Sequence, residues 1–217
     1  MKNLTSIVNF ILDETGSMGS IKDATINGFN EYINGLKKNK KGKILFTLTK
    51  FDSEGLRTPY VLTDISRVEL LSEKTYQPGS MTPLYDAVVE TVEKVADKIK
   101  DNEASLVIVM TDGEENASKK HNEKCLHDLI GKLQKKGNWT FAFLGANQDS
   151  WATAKNWGIP MGNISNWQAT PQGTQSAFRS STVANLNYVG TMASNISSGQ
   201  ALNTDNFFGQ EKGDDKK

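Results

Sequence analysis

Only one cysteine, Cys125, occurs in the 217 residues. No disulfide can form within the chain, and a reducing compartment, the cytoplasm, is the expected setting. No apolar run approaches the roughly 20 residues that a membrane helix needs. The short stretch from Ile7 to Leu12 is interrupted by Asn9. It lacks the longer apolar core and small-residue cleavage site of a signal peptide, and reads as a buried strand. Neither sign of charge is in excess, since lysine plus arginine and aspartate plus glutamate both number 25. That removes any global attraction to nucleic acid or anionic membrane and leaves only local patches to consider. A phosphate-cradling glycine loop of the Walker type is missing, and so is a thiolate–imidazole set of the kind zinc prefers. What is present is an apolar fraction of 37% against 23% charged, enough for a globular chain with a real core.

The apolar pattern switches between two periods. Leu4 to Leu12 is apolar and β-branched and ends at Asp13, which predicts a strand buried on both faces. Ser20 to Leu36 has helical spacing. Lys43 to Phe51 and Arg57 to Thr63 read as strands joined by a hairpin-like turn at Asp52–Gly55. After a turn at Pro78-Gly79, a helix is expected from Pro83 to Lys100, with proline favourable in its first turn. Ala104 to Met110 is a second fully apolar strand. A helix from Ser118 to Lys136 closed by Gly137, a strand from Trp139 to Leu144, a short helix from Asp149 to Trp157 and a last helix from Thr174 to Met192 complete the reading. Such alternation implies an α/β fold: a three-layer α/β/α sandwich around a mostly parallel sheet, with one antiparallel edge strand. One domain is expected over residues 1–198, with its core at 4–157 and a helical extension at 171–198. Residues 199–217 read as a polar, flexible tail.

Three short motifs fall at equivalent places. The first strand ends in Asp13-Glu14-Thr15-Gly16-Ser17, the loop before the 83–100 helix carries Gly79-Ser-Met-Thr82-Pro, and the next strand ends in Thr111-Asp112-Gly113. In open parallel sheets the ligand crevice lies beyond the carboxyl ends of strands, where strand order reverses. If the first strand neighbours the 104–110 strand, Asp13 and Asp112 face each other there. Thr15, Ser17 and Thr82 then join them from the adjoining loops. Three hydroxyls and two carboxylates form a hard, all-oxygen donor set suited to Mg²⁺ or Mn²⁺.

Together and in this order, the motifs resemble the metal-ion-dependent adhesion site of von Willebrand A domains, whose pattern is Asp-x-Ser-x-Ser, then a distant Thr, then a distant Asp. The resemblance covers Leu4 to Trp157; Thr15 stands where serine is commonest but keeps the hydroxyl. It implies a Rossmann-like A-domain fold, as in small stand-alone domains of bacteria and their phages. It further implies that Asp13, Thr15, Ser17, Thr82 and Asp112 hold Mg²⁺ or Mn²⁺, the hydroxyls directly and the aspartates largely through water. The open position would take an Asp or Glu carboxylate from a protein partner. No catalytic group is evident beyond this shell, so a binding module rather than an enzyme is expected. Two other classes stay open: a Mg²⁺-dependent hydrolase of phosphate esters, although neither histidine lies near the motifs, and a scaffold whose metal only stabilises folding.

Other features carry paired readings. Glu14, Glu114 and Glu115 either rim the metal, favouring a partner carboxylate set in a neutral or basic surface, or favour the dipole at the start of the next helix. Lys37, Lys38, Lys40, Lys41 and Lys43 crowd one turn. That run reads as a solvated helix end rather than a nucleic-acid or phosphate site. His121, Cys125 and Asp128 share helical spacing and read as a surface histidine beside a half-buried cysteine, rather than a metal site. Asn147 or Asp149 reads as a helix cap, with ligand contact as the alternative. Trp139 is expected in the core; Trp167 is left open, as is whether residues 162–206 form a packed helix or an arm.

Overall fold

A computed structural model describes residues 5–146, 150–198 and 202–209. Six strands form one sheet: β1 (Thr5–Asp13), β2 (Lys43–Asp52), β3 (Gly55–Asp64), β4 (Ala104–Thr111), β5 (Trp139–Gly145) and β6 (Ile164–Asn166). Their spatial order is β3-β2-β1-β4-β5-β6, and β3 alone runs antiparallel. Five α-helices lie among the described residues: α1 (Lys22–Lys37), α2 (Leu84–Ala96), α3 (Glu123–Gln134), α4 (Ser150–Asn156) and α5 (Pro171–Ser198).

The apolar runs decide which strands are central. β4 is buried at all eight positions and β1 from Ser6 onward, as strands covered on both faces must be. Alternate residues of β1 then serve two cores. Val8, Phe10 and Leu12 pack with Phe29 and Ile33 of α1 and Phe178 and Val189 of α5. Ile11 packs on the other face with Val88 of α2, Ile130 of α3 and Trp157 just after α4. The β2–β3 hairpin closes as expected at Asp52–Gly55, where Asp52 Oδ1 accepts from the Glu54 and Gly55 amides at 2.8 and 3.2 Å.

Several element ends differ from the sequence reading. A 3₁₀ turn, Gly16–Ile21, precedes α1, and α2 stops at Ala96 rather than Lys100. The helix expected from Ser118 begins only at Glu123, capped by Asn122, whose side chain accepts from the Cys125 amide. The cause is buried Asp86 of α2, whose carboxylate takes the amides of Lys119, Lys120 and His121 and holds that segment out of the helix. His121 therefore does not share a helix with Cys125, which is exposed rather than half-buried, and Asp128 pairs with Lys124 at 2.5 Å. The strand β6 was not anticipated; three residues are too few to show a period. Residues 171–198 form a helix packed on α1, and Trp167 is buried. Residues 202–209, read from the sequence as part of a polar tail, pack back on the domain: Phe207 is buried against Tyr188, and its amide donates to Asn163 Oδ1 at 2.7 Å. Asn147, Asp149 and the charged stretch 211–217 lie outside the described residues.

Candidate metal centre

β1 and β4 are parallel neighbours, with Leu12 opposite Met110. The chain leaves β1 toward β2 on one side and β4 toward β5 on the other, so strand order reverses between them, and the crevice forms there. Asp13 ends β1, fully buried. Its Oδ1 accepts from the Thr15 amide at 2.7 Å and its Oδ2 from the Thr111 hydroxyl at 2.5 Å. The Tyr76 hydroxyl donates to the Asp13 carbonyl at 2.7 Å.

From this anchor the turn places two hydroxyls side by side, Thr15 Oγ1 and Ser17 Oγ, 3.3 Å apart. Ser17 donates across the crevice to Asp112 Oδ1 at 2.5 Å. The loop carrying Thr82 is bonded to the same turn: Gly79 N donates to the Glu14 carbonyl at 3.0 Å, and Gly16 N to the Ser80 carbonyl at 3.1 Å. Ser80 adopts a left-handed conformation, φ 61°, to make that contact. Asn116 then clamps Thr82, accepting its amide at 2.8 Å and donating its own amide to the Thr82 carbonyl at 3.0 Å. A Cβ on Gly113 would stand 3.1 Å from Thr82 Oγ1 and 3.6 Å from Ser17 Oγ. Glycine thus keeps open the space between hydroxyls. Asp13, Thr15 and Thr82 are buried, Asp112 is half-buried and Ser17 is exposed, so the group opens to solvent through Ser17 and Asp112.

The electrostatics are one-sided. Burial pushes the Asp13 carboxyl up to about 6, with a smaller push from the Asp112 charge, against the hydrogen bonds from Thr111 and Thr15. Burial also raises Asp112, opposed by Ser17. Tyr76 is held far above its ordinary value by burial and then by the charges of Asp13, Glu14 and Asp112. Among the described residues no lysine, arginine or histidine pairs with Asp13 or Asp112. Two carboxylates short of a counter-charge, three neighbouring hydroxyls and the gap that Gly113 preserves fit a small hard cation. Among the described residues no three His, Cys, Asp or Glu side chains gather as a metal nest; three of the five groups here are hydroxyls.

The glutamates do other work. Buried Glu14 points away from the crevice into an ion-pair network, 3.0 Å from both the buried Lys50 Nζ and the exposed Arg57 Nη2, and Arg57 also reaches Asp52 at 2.7 Å. It does not rim the site. Glu115 is taken up by the amides of Tyr85, Ala117 and Ser118 and so shapes its own loop. Glu114 is exposed beside the crevice, but neither it nor Glu115 starts a helix, because α3 begins at Glu123. Thr111, Asn116 and Tyr76 were missed as supporting residues. Thr111 lies inside the motif that drew attention to Asp112, whereas Asn116 and Tyr76 gave no local signal.

No family model matches the sequence, and no curated protein does. Solved structures do match. The PilB minor pilin from Streptococcus sanguinis aligns with a TM-score of 0.64 at 10% identity, covering 86% of this chain and 62% of the pilin chain. The von Willebrand factor domain of the type V pili tip protein from Porphyromonas gingivalis aligns at 0.60 and 10% identity, covering 92% and 97%. This chain has the von Willebrand A fold. The manganese-loaded TRAP protein of Plasmodium vivax shares it at a TM-score of 0.52 and 20% identity, over 81% of this chain and 74% of that one. The A-fold chain spans less than two thirds of the pilin's length. Among its described residues no helix is long and apolar enough to cross a membrane.

Proposed function

We propose that this A-fold chain is a metal-dependent protein-binding module of the adhesion-site type, resembling the small cytoplasmic domains of bacteria and phages. Thr15, Ser17 and Thr82 would hold Mg²⁺ or Mn²⁺ through their hydroxyls, with Asp13 and Asp112 supplying charge around it. When bound, the cation offers an electrophilic position to an Asp or Glu carboxylate of a protein partner. The observation that carries this reading is the meeting of three hydroxyls and two unpaired carboxylates where β1 and β4 diverge. Keeping the direct ligands neutral preserves the affinity of the ion for an incoming carboxylate. Thr111, Asn116 and Tyr76 fix the donors in place, as outer-shell partners do. The manganese-loaded state of the TRAP protein adds support by analogy. The donor set is that of a cation-holding site, and the chain is read as a binder rather than an enzyme.

Calorimetric titration of Mg²⁺ and Mn²⁺ into wild type and Asp13→Ala tests the reading. Saturable binding to the wild type alone supports it and justifies a search for a partner bound only with metal. No binding to the wild type removes the mechanism and leaves the fold.

A further inference from the structure

The pole of the sheet opposite Asp13 carries a second surface. In a parallel sheet each helix-to-strand connection returns to the amino ends of the strands. Three such connections lie close together here, because β2, β1, β4 and β5 are consecutive neighbours. The α1–β2 connection presents five exposed lysines, Lys37, Lys38, Lys40, Lys41 and Lys43. The α2–β4 connection adds Lys98 and Lys100, and the α3–β5 connection Lys135 and Lys136, all exposed. Against these nine ammonium groups stand Asp97, Asp101 and Glu103 on the same connections and Asp64 at the end of β3. None of the nine forms an ion pair among the described residues.

The connections are held, not loose. Asn39 accepts from the Lys41 amide at 3.2 Å and donates to the Gly42 carbonyl at 3.3 Å. Buried Asn138, at the start of β5, donates to the carbonyls of Lys100 and Glu103 at 3.3 and 2.9 Å, tying the second connection to the third. With strands about 4.8 Å apart, the lysines span roughly 15 Å from β2 to β5. Read alone, the Lys37–Lys43 run is a solvated helix end; the fold adds four lysines from 55 to 99 residues further along the chain.

We infer that this lysine pole binds the phosphate backbone of double-stranded nucleic acid without reading its sequence. A duplex carries one negative charge per about 1.7 Å of axis, a density that rewards clustered ammonium groups. The three connections hold no aromatic side chain on which unpaired bases could stack. They hold no arginine to fork onto a guanine edge. Leu70, Met81, Met161 and Val183, the exposed large apolar residues, lie elsewhere, so nothing here enters a lipid layer. The length of β1, nine residues, separates this pole from Asp13 by roughly 30 Å at about 3.3 Å per residue. The inference therefore does not depend on the metal reading.

Fluorescence anisotropy of a labelled 20-base-pair DNA duplex, titrated with protein in EDTA at several salt concentrations, tests it. Wild type should bind at low salt with a steep salt dependence. Lys40→Gln/Lys100→Gln/Lys136→Gln, one change per connection, should weaken binding more than tenfold. It should also reduce the log–log salt slope by roughly 2.7, about 0.9 per lost contact. Lys74→Gln/Lys119→Gln/Lys124→Gln, with the same change in net charge, should stay within twofold of wild type. Absence of duplex binding by the wild type, or equal weakening by both triple variants, overturns the inference. Binding to phosphatidylserine vesicles without binding to duplex also overturns it and assigns the pole to a membrane surface.

Discussion

Thr111 shows how much one hydroxyl can decide. It donates to Asp13 Oδ2 at 2.5 Å and accepts from the Gly113 amide at 3.0 Å, so it fixes both the buried carboxylate and the glycine between the hydroxyls. Thr111→Val keeps the shape and removes both bonds. It should cost about 1–3 kcal/mol of stability, measurable by urea unfolding, and about 10–100-fold in Mg²⁺ affinity, measurable by calorimetry. Unchanged affinity would show that Asp13 needs no such support. Asp13 itself sets a pH dependence. Its pKa is raised in the folded chain from 3.8 to about 6. The folded state therefore holds that proton more tightly than the unfolded one. The resulting stabilisation is full below about pH 4 and is lost as pH rises through 6, about 3 kcal/mol in all. A divalent cation must displace the same proton. Mg²⁺ affinity should accordingly be flat above about pH 7 and fall about tenfold per unit below 6; a flat profile down to pH 5 would remove Asp13 from the binding step.

Among the elements, α5 is polar in composition, and its docking rests on close approach. Gly28 of α1 faces Phe178, and a Cβ there would stand 2.3 Å from the ring; at Gly35 it would meet Thr182 Cγ2 at 2.7 Å. In an exposed helix, Gly→Ala gains about 1 kcal/mol. Here the overpacking term, typically about 1–3 kcal/mol, should win, because Phe178 is buried among Phe10 and Phe29 and cannot swing away. Gly28→Ala should therefore lower the urea midpoint, while Gly131→Ala in α3, where a Cβ meets nothing within 4 Å, should leave it unchanged or raise it. A stabilised Gly28→Ala would mean that α5 is not seated against α1. The late start of α3 has the same lesson: Ser118 to Asn122 has helix-compatible spacing, but Asp86 from another helix takes its amides first.

At the scale of the whole molecule, the candidate metal centre joins three separate stretches of chain, and a cation that binds only their folded arrangement should stabilise all of it. At a Mg²⁺ concentration 100-fold above Kd the gain is about 2.7 kcal/mol. For a chain of this size that raises Tm by roughly 5–10 °C. Differential scanning calorimetry at pH 7.5 should show this shift in wild type and lose it in Asp13→Ala. An equal shift in both would place the bound ion elsewhere.

The sequence by itself determined the layers and marked the candidate site residues. Short, mostly apolar and β-branched runs such as Ala104 to Met110 read as central strands, and the polar motifs at Asp13, Thr82 and Asp112 interrupt the apolar pattern and so mark strand ends and a loop. Only the tertiary structure decided what those residues meet. That Asp13 lies beside Asp112 follows from the pairing of β1 with β4, which no local pattern encodes. That Glu14 turns from the crevice to Lys50 and Arg57 depends on a hairpin more than 30 residues away. Hydrophobic periodicity reports whether a side chain is buried. Which partner it finds depends on strand order, and that is settled by packing across the whole sheet.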